Sequence, residues 1–269
     1  MKRTMLYFGS FNPIHNGHIS LAEYVIERGV CDELILIVSP RNPLKSSAEL
    51  APETDRYEMV EMACAECKYP EQIKPSVIEF MLPRPSYTIN TLRYLSENHG
   101  EGCSFSILMG GDIIPQFDKW RDYEEILQRY PIYVYPRRGE VVDRYLDKIT
   151  LLEDAPYFDY SSTDVRQSSM LSKPIERMVP TNVAEYIHNK GLWTPESLLL
   201  KLTEQIDTTP TAALYAERGA HYFHTSEWGK ALNDFNKALE LEPQHKESTE
   251  LKKMVEEILK FRYTDIYNP

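Results

Sequence analysis

The first half of the chain alternates short apolar runs with segments whose apolar residues recur at helical spacing. Thr4 to Phe8 reads as a strand, with Gly9 and Pro13 supplying the turn after it. From Asn16, the positions Ile19, Leu21, Ala22, Val25 and Ile26 share one helical face. Glu33-Leu-Ile-Leu-Ile-Val38 is a continuous apolar run, as expected of a strand covered on both faces of a parallel sheet. A helix capped at Thr54-Asp55 follows, through Met59, Val60, Ala63 and Cys67. Then come a strand from Ile73 to Phe80, a helix from Thr88 to Glu97 and a strand from Ser104 to Met109. A helix from Tyr123 to Gln128 and a strand from Ile132 to Tyr135 complete the series. This alternation predicts the α/β class, a Rossmann-like doubly wound parallel sheet whose ligands bind at the carboxyl ends of its strands.

From Ser197 the strands vanish, and Leu198 to the C-terminus reads as helices. The expected division is therefore an α/β domain over 1–195 and a small all-α domain over 196–269, with the boundary near Trp193 to Glu196. Tyr215, Gly219, Tyr222, Ala231, Phe235, Ala238 and Pro243 have the spacing of one tetratricopeptide repeat, from about 212 to 245. No second copy follows, since Lys253 stands where its glycine would fall, so Ser248 to Phe261 is expected to be a capping helix. A single repeat must pack on something, either the α/β domain or another subunit, which makes self-association or a protein contact through these helices an expectation.

Composition narrows the setting. A formal charge of −11 and a pI near 5.2 argue against nucleic acid or a membrane surface as the main partner. The apolar run at the N-terminus is too short for a signal peptide and no later segment is long enough to span a bilayer, so the expected location is the cytoplasm. Cys31, Cys64, Cys67 and Cys103 are too sparse for a disulfide scaffold. Cys64-x-x-Cys67 has no second pair to complete a zinc site and reads as reduced cysteines packed on a helix.

The chemistry concentrates in Phe8-Gly-Ser-Phe-Asn-Pro-Ile-His-Asn-Gly-His18, where a strand breaks into a helix. A helix N-terminus offers free N–H groups and partial positive charge to anions. His15 and His18, three residues apart, can turn toward one ligand and add donors that carry charge near neutral pH. Taken alone, the pair is equally a metal pair or two surface histidines. A second candidate is Tyr160-Ser-Ser-Thr-Asp-Val-Arg166, in which Ser161, Ser162 or Thr163 can cap a helix and Arg166 can grip two phosphate oxygens.

The His15-Asn-Gly-His18 spacing resembles the HxGH signature of the nucleotidyltransferases, and the longer string resembles the nicotinate or nicotinamide mononucleotide adenylyltransferases. Ser161 to Arg166 resembles that family's second signature, Ser-x-Thr-x-x-Arg, and Gly110-Gly-Asp112 with Trp120 resembles its Gly-x-Asp…Trp element. Ser86-Tyr-Thr88 through Leu92 resembles the segment that meets the pyridine carboxylate in relatives, while Val179 to Trp193 resembles the closing helix. The resemblance implies adenylyl transfer from ATP to nicotinate mononucleotide, giving deamido-NAD and pyrophosphate. Nicotinamide mononucleotide is the alternative acceptor, and a non-catalytic nucleotide-binding interaction module is the alternative of another class.

On this resemblance His15, His18, Lys45 and Arg166 are the catalytic set. ATP would be held by Gly9, Ser10, Phe11, His15, Gly17, His18, Gly110, Asp112, Ser161, Ser162, Thr163 and Arg166. The mononucleotide would meet Ser10, Lys45, Tyr87, Thr88 and Trp120, with the indole stacked on the pyridine ring. Mg²⁺ is expected as cofactor, bound through phosphates and water rather than a protein cage. One departure stands out: bacterial nicotinate enzymes often carry Pro-Pro-His-Lys or Pro-Pro-His-Arg after the second strand, whereas this chain has Ser39-Pro-Arg41-Asn-Pro-Leu44-Lys45. Leu44 replaces the histidine, Arg41 is the nearest substitute cation, and Ser-Pro followed by lysine also occurs in nicotinamide-using relatives.

Overall fold

The computed structural model describes residues 1–40, 50–99, 102–136 and 142–266, with side chains through 261. The described strands are β1 (Lys2–Gly9), β2 (Glu33–Val38), β3 (Ile73–Ser76), β4 (Cys103–Gly110), β5 (Ile132–Tyr135) and β6 (Ile149–Leu151). They form one sheet in the order β3-β2-β1-β4-β5-β6, with every neighbouring pair parallel. Strand order reverses between β1 and β4. That reversal opens a crevice at the carboxyl ends of these two strands, where doubly wound sheets bind ligands.

The chain divides into two compact units, Met1–Arg166 with Ile175–Lys190, and Gln167–Pro174 with Gly191–Pro269. In the first unit, Leu34, Leu36, Ile37 and Val38 of β2 are buried, as the unbroken apolar run requires. Helix α1 (Asn16–Glu27) buries Ile19, Leu21, Ala22, Val25 and Ile26, the face its spacing defines. It stops at Gly29, whose φ of +63° only glycine adopts without strain. The remaining helices of this unit are α2 (Glu53–Ala65), α3 (Ile78–Met81), α4 (Thr88–His99), α5 (Tyr123–Arg129), α6 from Ser162 and α7 (Thr181–Lys190).

Three details differ from the sequence reading. Helix α2 starts at Glu53 with Pro52 at the N-cap and no side-chain cap bond, so Thr54 and Asp55 lie inside its first turn, where a carboxylate favours the helix dipole. The strand expected from Ile73 to Phe80 ends at Ser76, whose Oγ accepts the Ile78 amide at 3.2 Å and turns the chain into α3. With Pro75 in it, β3 suits the sheet edge, where a missing donor costs least. The 3-10 helix Gly111–Lys119 and the three-residue β6 carry no periodicity long enough to read beforehand.

The second unit contains α8 (Pro195–Thr208), α9 (Ala212–His224), α10 (Trp228–Leu241) and α11 (Lys246–Ile266). A Cβ on Gly219 would sit 2.8 Å from the Phe235 ring, so the glycine sets how closely α9 and α10 approach. Ala231, Phe235 and Val255 form the core beside Tyr222, Phe223 and Trp228. Arg218 pairs with the buried Asp234 through two bonds, Nε to Oδ2 at 2.7 Å and Nη2 to Oδ1 at 2.8 Å. Among the described residues no helix is long and apolar enough to cross a membrane. All four cysteines are free thiols, three of them buried, and burial pushes Cys31 up to about 12.

Candidate functional site

The turn after β1 is built around its rings. Phe11 adopts φ +42° and is buried, with its ring edge-on to Tyr7 at 5.6 Å and to His18 at 5.2 Å. A Cβ on Gly9 would lie 2.8 Å from that ring, so only glycine admits it. His15 is the N-cap of α1 and forms a reciprocal capping box with His18. The Gly17 amide donates to His15 Nδ1 at 3.1 Å, and the His15 amide donates to His18 Nδ1 at 3.2 Å. In its neutral form an imidazole that accepts at Nδ1 carries its proton on Nε2. Tyr160 stands edge-on to His15 at 5.6 Å.

The second motif is tied to the first. Ser162 Oγ donates to the Pro13 carbonyl at 2.8 Å, and Arg166 Nη1 donates to the Asn12 carbonyl at 2.9 Å. Arg166 also reaches Thr163 Oγ1, at 3.3 Å. Ser161, through its amide and its hydroxyl, donates to Asp164 Oδ2 at 2.7 and 2.6 Å, and these bonds hold the Asp164 carboxyl below the usual range. The hydroxyls of Ser161 and Ser162 thus serve the protein's own scaffold. Asn12 extends the scaffold by accepting the Ala51 amide at 2.9 Å.

Gly110 ends β4 and Asp112 follows it, across the strand-order reversal from the His15 turn. Trp120 packs on Phe117 at 5.2 Å, and Tyr87, the residue before α4, packs against the same core. The Arg121 guanidinium lies 5.0 Å over the Tyr87 ring and joins the Trp120 segment to the Tyr87-Thr88 segment. Arg41, Leu44 and Lys45 lie outside the described residues. Asn12 and Tyr160 stand in the two motifs with no role assigned from sequence, and Arg121 and the buried Tyr7–Tyr135 hydroxyl pair at 2.9 Å lie outside them. Only Arg121, a cation beside a tryptophan, left a trace that a sequence reader could use.

The chain matches the cytidylyltransferase-like family over residues 6–168. It is 41% identical over 192 residues to a Flavobacterium johnsoniae protein named "Probable nicotinate-nucleotide adenylyltransferase", covering 70% of this chain and 97% of that one. A Bacteroides thetaiotaomicron protein of the same name is 40% identical over 186 residues, covering 69% of this chain and 90% of its own length. The chain belongs to the nicotinate-nucleotide adenylyltransferase family. It is a nucleotidyltransferase, and the site described above lies within the family's matched region. The fold is also that of the Plasmodium falciparum nicotinic acid mononucleotide adenylyltransferase complexed with NaAD, at a TM-score of 0.60 and 17% identity over 72% of this chain and 98% of that one. The family model's match ends at residue 168.

Proposed function

We propose that the protein transfers the adenylyl group of ATP to nicotinate mononucleotide, giving deamido-NAD and pyrophosphate. The observation that carries this reading is the capped His15–His18 pair held to Ser162 and Arg166 through the Pro13 and Asn12 carbonyls. An acceptor phosphate oxygen attacks the α-phosphorus, the bond from that phosphorus to the bridging oxygen breaks, and pyrophosphate leaves with the electron pair. The displacement needs no protein nucleophile, so catalysis rests on alignment and charge stabilisation. The Nε2–H groups of His15 and His18 serve the α- and β-phosphates, and Lys45 and Arg166 balance the leaving group. Gly9, Ser10, Phe11, Gly17, Gly110 and Asp112 shape the ATP side, with Tyr87, Thr88 and Trp120 on the pyridine side.

Among the described residues no group of three or more His, Cys, Asp or Glu side chains is placed to cage a metal. Mg²⁺ enters this proposal as a companion of the triphosphate that would neutralise phosphate charge, with no step assigned to it. The curated relatives named for the nicotinate nucleotide support the acid as acceptor. The C-terminal helices are read as a tetratricopeptide-like hairpin with a cap, supported by the Gly219–Phe235 approach. The test is pyrophosphate release from ATP with each mononucleotide in turn. We expect release with the nicotinate form; release with the nicotinamide form alone overturns the acceptor, and release with neither favours a binding module.

A further inference from the structure

Arg56, on α2, is the largest fully buried side chain among the described residues. Its guanidinium donates to four backbone carbonyls: Nε to Ala51 at 3.1 Å, Nη1 to Ser10 at 2.7 Å and Ser39 at 2.6 Å, and Nη2 to Pro40 at 2.7 Å. Ser10 follows β1, while Ser39 and Pro40 follow β2. One planar cation thus clasps the loops that leave two adjacent strands. Burial lowers its pKa to about 10, which leaves it charged at neutral pH.

This placement orders the peptide dipoles around the crevice. A carbonyl turned down onto Arg56 cannot face an anion above the loop, where its negative end would repel phosphate. Carbonyl and N–H point in opposite directions across a trans peptide, so fixing the Ser10 oxygen aims the Phe11 N–H away from α2. The unusual φ of Phe11 is held in the same turn. A lysine cannot reproduce the clasp, because it presents three donors from one point where arginine presents five in a rigid fork.

We propose that Arg56 is a positioning residue for adenylyl transfer, which aligns the β1 and β2 exit loops for phosphate by holding the Ser10, Ser39 and Pro40 carbonyls beneath them. This rests on reading the β1 turn as the phosphate site. The experiment measures kcat, and KM for ATP and for the mononucleotide, in full-length Arg56→Lys and Arg56→Ala, with thermal unfolding alongside. Arg56→Lys should fold and lose about 10²-fold in kcat/KM for ATP, the scale of a small misplacement of reacting groups. Added guanidinium ion should restore part of the activity of Arg56→Ala by filling the vacated clasp. A folded Arg56→Lys with wild-type kinetic constants overturns the inference, and so does an Arg56→Lys that cannot fold. A folded, inactive Arg56→Ala that ignores guanidinium overturns it too. Wild-type enzyme that turns over with neither mononucleotide would remove the adenylyl-transfer reading and this inference together, whereas full activity in Arg56→Lys removes the inference alone.

Discussion

The rings of His15 and His18 lie 3.7 Å apart between centroids and 30° from parallel, while the His15 amide donates to Nδ1 of His18. One nitrogen of His18 is therefore occupied by capping, and the proposed phosphate role falls to Nε2. His18→Asn should separate the two duties, since its carbonyl can take the capping bond but nothing replaces Nε2–H. We expect near-wild-type thermal stability and turnover lower by about 10²–10³, the scale of losing one transition-state donor. Steady-state kinetics beside a melting curve decides it, and a fully active His18→Asn ends the assigned role.

Gly17 faces the same pair. A Cβ there would lie 3.0 Å from Cε1 and Nδ1 of His15 and 3.3 Å from the Phe158 ring, so Gly17→Ala must push the His15 ring aside. kcat/KM for ATP should fall at least about tenfold, equivalent to ~1.4 kcal/mol in the barrier. Equal kinetics in the variant would show that the ring position is unimportant.

Ser162→Ala removes the hydroxyl that bonds the Pro13 carbonyl. The lost hydrogen bond should cost about 1 kcal/mol in urea unfolding. Because the same bond fixes the turn that carries His15, activity should fall by more than Thr163→Ala causes. The reverse ranking would argue against the tether.

In the second unit, Asp234→Ala leaves Arg218 without its carboxylate partner. Arg218 keeps a bond to Thr203 Oγ1 at 3.1 Å, so the loss should sit at the low end for a broken buried pair, about 3 kcal/mol. Chemical denaturation followed by circular dichroism at the helical band, compared with wild type, reads it.

His221 of α9 is buried, and neither ring nitrogen has a hydrogen-bond partner among the described residues. Desolvation lowers its pKa, opposed by Glu196 and Glu227 and aided by His224. The unfolded chain therefore binds a proton first, and stability rises with pH across the window below the ordinary histidine value of about 6.5. Acidification from neutral should destabilise the helical unit, and His221→Leu should flatten that slope. An identical slope in wild type and His221→Leu would falsify the assignment.

The elements that hold the site were legible where one physical signal dominated. The apolar run Glu33 to Val38 can be little else than a buried parallel strand, and the face Ile19 to Ile26 matched one helical stripe. The positions of His15 and of Ser162 at helix starts were legible for the same local reason, their spacing. Arg56 was not, since an arginine inside an amphipathic helix ordinarily faces water, and its four acceptors come from three separate stretches of chain. The reciprocal use of His15 and His18 as caps was hidden too, because Ser, Thr, Asp and Asn are the residues expected there. The Ser162 hydroxyl's bond to the Pro13 carbonyl was hidden as well, because its partners lie 149 residues apart.

The tethers on the His15 turn have a consequence for a chain made from its N-terminus. Asn12 and Pro13 are fixed by Arg166 and Ser162, and the Asn16 amide by the Met178 carbonyl at 2.9 Å, all synthesised long after the turn itself. Since domains generally fold as units during synthesis, the earliest-made part of the site is the last to be locked. A ribosome stalled before residue 162 should therefore hold a nascent chain that lacks these tethers and has no competence for chemistry.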